Sequence, residues 1–263
     1  MSLTGKTPKD TYKDLLYADN SNNGVDFALR KIKSGNGSDS SLFVSDRSLK
    51  VASNTNNTSA LIVVNQDNAE KFKVDTTNDQ VKALGTHVNT MYTYFNVGNG
   101  LAANFSANTH YLIPYIGDNY PSSLATGLPD IGTGTDPDTS FTTAETNTQR
   151  ASTLVTCMWY VPDNISIDSV HSIEGADTAT GDTTRMHIMS NDFTSGSTSA
   201  LTNGTLLAHN NDVTNAGSEQ VYLSTWTVDS ATVTSGKVIG ATFRSDSINS
   251  DYSVRITIKY HLT

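Results

Sequence analysis

Six histidines and one cysteine are the residues of this 263-residue chain best suited to metal binding or nucleophilic attack. His87, His110, His171, His187, His209 and His261 are too widely spaced for any two to sit one turn apart on a helix. That spacing would set two ligands on one face. No metal ligand set and no cofactor is expected. Cys157 has no second cysteine to pair with, which excludes an intrachain disulfide. It falls in an apolar strand pattern with no histidine beside it in sequence, so it reads as a small buried hydrophobe.

Several short motifs imitate sites without completing them. Gly5-Lys6-Thr7 resembles the end of a phosphate-binding loop, but the motif's first glycine would precede Met1, and Pro8 follows. Gly98-Asn99-Gly100 lacks the strand–helix context and acidic partner of a dinucleotide fingerprint. Asp19, Ser21, Asn23 and Gly24 open like a calcium loop, yet its twelfth position holds Arg30, which repels the ion. Asp136-Pro137-Asp138 offers only two carboxylates. Glycosidase chemistry needs a pair of carboxyl groups in space. None of the 26 acidic residues is singled out for such a pair, and G-x-S-x-G is absent. No catalytic residue is assigned, and the chain is not expected to be an enzyme.

The elements that would position any site are strands. Hydrophobic residues make up 36% of the chain and charged residues 16%, both below the roughly 45–50% and about 25% usual in globular proteins. The balance is Thr, Ser, Asn, Asp and Gly, which favour turns and wet strand faces. Only Glu70, Glu145, Glu174 and Glu219 are glutamates, a composition poor in helix formers. The net charge of −9 and the lack of a basic cluster exclude phosphate-backbone binding by counterion release. Nucleic acid is not an expected partner. MSLTGKTPKD shows no apolar stretch of a signal peptide, and the longest aliphatic run, Ala60 to Val64, is too short for membrane insertion.

Three regions follow. In residues 1–34, Thr7, Pro8 and Asp10 suit a helix start. Tyr12, Leu15 and Leu16 would give it an apolar stripe, and this short helix is read as an anchor. In residues 35–90 one unit recurs five times: an apolar residue, a spacer, a second apolar residue. The pairs are Leu42/Val44, Leu49/Val51, Leu61/Val63, Phe72/Val74 and Val81/Ala83, with Lys50, Lys73 and Lys82 among the spacers. Residues two apart share a strand face. Two apolar side chains per short strand are too few for one chain to bury alone. Copies of the chain must pool them, which predicts a slender β shaft in a fibrous homo-oligomer.

Residues 91–263 carry the aromatic residues and stronger strand signals of an antiparallel β-sandwich head, jelly-roll-like in its short strands and polar turns. Thr153–Val161 alternates as a strand. Tyr252, Val254, Ile256, Ile258, Tyr260 and Leu262 take every second position of the last one. The Gly/Pro/Thr-rich segment between Gly117 and Arg150 is long for a loop in a compact domain. Tyr120 there is the candidate ligand contact, since exposed loop aromatics stack on sugars.

The opening TGKTPKDTYKDLLYADNSNNGVD, followed by GNGSDSSLFVSDRSLKV, resembles the N-terminal region of structural proteins of tailed phages, marine ones particularly. The resemblance covers the first 50 residues. It implies a homotrimeric virion accessory protein made in the host cytoplasm. Such a protein is attached by its N-terminus to the major capsid protein or another virion protein, and it displays its head at the virion surface. The expected function is that of a capsid fibre or decoration protein with weak adhesion to host surface glycan. A tail-fibre receptor-binding protein and a glycan depolymerase are the alternatives.

Overall fold

In the computed structural model, residues 15–21, 23–97, 106–116, 127–146, 148–177, 180–247 and 251–263 are described. The chain is mainly β, with several antiparallel sheets, as its composition implied. It divides into two compact units, Met1–Val88 and Asn89–Thr263.

The first unit holds two four-stranded antiparallel meanders. One is built from β1 (Leu16–Ala18), β2 (Arg30–Ser34), β3 (Asp39–Val44) and β4 (Leu49–Val51); the other from β5 (Leu61–Val64), β6 (Glu70–Asp75), β7 (Gln80–Ala83) and β8 (Thr86–His87). Turn chemistry fixes their register. Asp75 Oδ1 accepts the Thr77 and Asn78 amides, and Asp79 takes a left-handed φ of 53°, which closes the β6–β7 hairpin. The helix expected over the first residues is overturned where it can be compared. Leu16 lies in β1 opposite Ser34, because the backbone groups of 16–18 are satisfied by the ladder to β2.

In the second unit, β10 (Tyr111–Ile113), β19 (Lys237–Ser245), β13 (Thr183–Phe193), β14 (Leu201–His209) and β17 (Thr227–Val228) run side by side in one sheet. β11 (Trp159–Tyr160) pairs with β19, and β15 (Val213–Thr214) with β13. The second sheet orders β16 (Glu219–Thr225), β12 (Ile165–Asp177), β20 (Asp251–Leu262) and β9 (Thr90–Val97), with β18 (Thr232–Val233) beside β12. Their facing sides share one apolar core that includes Phe95, Ile113, Met186, Ile188, Ile239, Phe243, Ile256 and Ile258. Each such side chain contributes roughly 1.5–3 kcal/mol by leaving water. Rings bridge the layers. Trp159 stacks parallel to Tyr115 with centroids 6.0 Å apart and meets Tyr260 at 5.0 Å, while Phe243 meets Tyr252 at 5.1 Å.

Two strand expectations are corrected. Residues 151–156 form a short helix, α1 (Ala151–Thr156), before β11 begins at Trp159. Leu154, Cys157 and Met158 also stand three and four apart. With Leu154 buried and Val155 outside, packing selected the helical period over the alternating one. In β20 the alternation holds through Ile258 and then inverts, leaving His261 buried and Leu262 turned outward. The register between β12 and β20 slips by one residue between Ile167 and Ser169. The extra residue, Asp168, places Oδ1 2.9 Å from His261 Nδ1, which gives that ring a polar partner inside.

One carboxyl is buried between the sheets. Glu174 on β12 accepts a 2.9 Å hydrogen bond from the Thr184 hydroxyl of β13, and its Oε1 has no partner. Burial pushes the carboxyl up to about 7, against which the single hydroxyl does little. An acid whose folded pKa is raised stabilises most below its unfolded pKa, and that stability is lost as pH rises through about 7. Glu174→Gln is expected to match the parent near pH 4.5 and to exceed it by up to about 3 kcal/mol at pH 8. Chemical denaturation at both pH values measures the gap, and a gap independent of pH would refute the assignment.

Candidate functional site

The residues singled out for the shaft are brought together in register. Leu42 lies opposite Val51, and Val44 opposite Leu49. In the second meander Leu61, Val74 and Val81 form one row, and Val63, Phe72 and Ala83 the next. Strand alternation puts both rows on one face, with Ile62, Lys73 and Lys82 on the other. In the first meander the opposite face carries a charged ladder. Lys31 pairs with Asp39 at 2.7 Å, Lys33 with Asp19 at 2.8 Å, and the Lys31 and Lys50 ammonium groups sit 5.4 and 5.3 Å from the Phe43 ring centre. Leu42, Val44, Phe72, Val74 and Val81 are half-buried. Leu49, Val51, Leu61 and Val63 stay exposed, Leu49 at 66% and Leu61 at 40%. Leu15 and Leu16 are exposed too. Tyr12 and Tyr120 lie outside the described residues.

A second constellation lies in the Asn89–Thr263 unit, and sequence reasoning missed it. Met186 and Ile188 of β13 face the other sheet, so Arg185 and His187 point to the opposite side. There His187 stands between Thr242 of β19 and His209 of β14 in the ladder. This side would be wet in an ordinary two-layer fold. Instead the chain from Gly127 to Thr143 crosses it. Ile131 and His110 exchange backbone bonds with one another's neighbourhood (Ile131 N to His110 O, 2.8 Å; His110 N to Gly132 O, 2.8 Å), and Phe141 bonds both ways with Leu201. Leu128, Ile131 and Phe141 are buried by this crossing. The long polar segment is thus a covering layer over much of its length rather than a free loop. Its close approach requires glycine at Gly204, where a Cβ would fall 2.7 Å from Thr139 Cα.

At the rim of that layer is a cavity of about 510 Å³ lined by Thr135, Asp136, Arg185, His187, Leu206, His209, Asn210, Asn211 and Asp212. Its polar groups are individually held. Arg185 grips Asp212 with both forks, Nε to Oδ1 at 2.5 Å and Nη2 to Oδ2 at 2.7 Å, which holds that carboxyl below the usual range. His209 Nδ1 lies 2.8 Å from Asp229 Oδ2. Asn210 Oδ1 accepts the Met186 amide at 2.6 Å. His187 Nε2 is 3.4 Å from Asp136 Oδ1, and the His187 ring meets His110 edge-on at 5.0 Å. Burial, with His110 beside it, pushes His187 down to about 4, so the ring is neutral at pH 7. His187 Nδ1, His110 Nδ1, Thr242 Oγ1 and Asn210 Nδ2 are buried without a partner among the described residues. His110, His187 and His209 are far apart in sequence, and only the alternation of His187 with Met186 and Ile188 hinted at a common face.

Chemically the cavity offers hydrogen-bonding groups, several of them fixed in direction by their neighbours. Cys157 is fully buried elsewhere, and burial pushes its thiol up to about 12. No protein-family model and no curated protein matches the chain. Among solved structures it is similar to an aminopeptidase from the marine sediment archaeon Thaumarchaeota archaeon, with 11% identity over 72% of this chain and a TM-score of 0.32. It spans 40% of that protein's length, and a likeness of this size carries no argument about chemistry.

Two outcomes check this description. Cys157 is expected to stay unreactive toward a water-soluble disulfide reagent at pH 8 until the protein is denatured; labelling of the native protein would contradict its burial. Gly204→Ala is expected to cost ~1–3 kcal/mol in urea denaturation, because the new methyl must displace the Thr139 backbone. A cost under about 0.5 kcal/mol would show that the covering layer does not press on β14.

Proposed function

We propose that the protein is a homotrimeric structural protein of a tailed-phage virion. It is held to the capsid or another virion protein through its N-terminal region and displays the Asn89–Thr263 unit as a head that adheres to glycan on the host surface. One observation carries the self-association. The apolar rows of the Met1–Val88 unit are set in perfect register, yet Leu49 and Leu61 remain in water within a single chain. Ordered apolar faces of this kind mark interaction surfaces. Identical copies supply identical faces, and each covered Leu or Val returns roughly 1.5–3 kcal/mol. The charged ladders on the opposite face suit the outside of such an assembly and discourage further sheet stacking. The phage-like opening segment supports attachment to a virion, and the polar cavity supports adhesion to a polar ligand.

Light scattering of the full-length protein tests the association, with an expected mass three times that of the chain. Leu61→Asp is expected to give monomer. In a monomer an aspartate at this partly exposed position is tolerated, whereas in the assembly it buries an unpaired carboxylate. Lys71→Asp, an exposed position on the other face of β6, is expected to stay trimeric. A monomeric parent protein, or two variants that both remain trimeric, would refute the reading.

A further inference from the structure

We infer that the cavity between Asp136, Arg185, His209 and Asn210 is the saccharide-binding site of the head, and that it takes a neutral, polyhydroxylated sugar ring. The inference rests on the adhesive reading of the head and names the place and the ligand class. A volume of about 510 Å³ falls within the roughly 300–1,000 Å³ of small-molecule sites.

The lining selects the class. Leu206 is the one large apolar side chain in it, so an apolar ligand would leave the surrounding polar groups unpaired. Asp136 and Asp212 face Arg185 alone as fixed charges, and His187 is neutral at pH 7, which disfavours an anion such as a sulfate or a sialic acid. A transition metal shared by the two rings is also disfavoured. The His187 and His209 ring centres are 6.4 Å apart, wider than the roughly 5.3 Å between the centres of two imidazoles that ligate one tetrahedral ion at ~2.1 Å.

What remains is an alternation of donors and acceptors with little freedom. Because Asn210 Oδ1 is committed to the Met186 amide, its Nδ2 is left as a donor without a partner. With Nδ1 directed at Asp229, the His209 ring leaves Nε2 as an acceptor when neutral. Asp136, exposed beside His187, is an acceptor pair. Arg185, locked by Asp212, keeps Nη1 within 3.5 Å of the Thr135 carbonyl and available at the rim. Neighbouring sugar hydroxyls each donate and accept, so they can satisfy adjacent groups of both kinds. Holding these groups in place beforehand removes the side-chain ordering cost that otherwise weakens small polar ligands.

The test is saturation-transfer NMR on the full chain with glucose, galactose, mannose, N-acetylglucosamine and N-acetylneuraminic acid, followed by titration of the best binder. At least one neutral sugar is expected to bind and N-acetylneuraminic acid is not. Asp136→Ala and His209→Ala are each expected to weaken binding at least tenfold, with unchanged oligomeric mass and melting temperature. Binding that persists in both variants would place the sugar elsewhere, overturning this site while leaving the adhesive reading intact. No binding of any neutral sugar by the parent protein would overturn both. Preference for the anionic sugar, or zinc binding lost in His209→Ala without sugar binding, would overturn the ligand class.

Discussion

An apolar sheet face has to be covered by something, and the two units meet this demand differently. In the Asn89–Thr263 unit two sheets cover one another, and rings such as Trp159, Tyr260, Phe243 and Tyr252 interlock between them. In the Met1–Val88 unit the meanders align their apolar rows with equal care, yet several of those side chains remain in water. The hydrophobic term that closes the core of Asn89–Thr263 is thus left partly unspent within a single chain in Met1–Val88.

Covering has a polar counterpart. Because the Gly127–Thr143 crossing lies over the outer side of β13, that strand is buried on both faces, and side chains suited to solvent are enclosed. His187 responds by staying neutral, while Glu174, between the sheets, responds by holding its proton. The two shifts act on stability in opposite senses. Neutral His187 stabilises above the usual imidazole range and loses that contribution as pH falls toward 4. Protonated Glu174 stabilises at low pH and loses its contribution as pH rises through 7. Between pH 4.5 and 6.5, the ordinary values of the two groups, the two slopes oppose one another, so stability there depends little on pH through this pair.

Periodic signals were readable where one face decides everything. In β20, Tyr252 to Ile258 alternate as the sequence implies, and in β5 to β7 the paired apolar residues fall opposite one another. Reading failed where two periods fit equally well, as at Leu154 to Met158, and where a one-residue slip changed parity, as at Asp168 opposite the end of β20. The cavity was not readable at all, since its groups come from the 131–140 segment, β13, β14 and the turn that follows.

Alternation and turn residues are local, so the amino-acid sequence alone determined the β class of this protein and the paired rows of its first unit. The register between distant strands, and the choice of which outer face the polar segment would cover, are properties of long-range pairing. Those decided that His187, His209, Asp136 and Arg185 share one cavity. A strand's own pattern fixes which side chains lie together on a face, but only the packed sheets determine what that face meets.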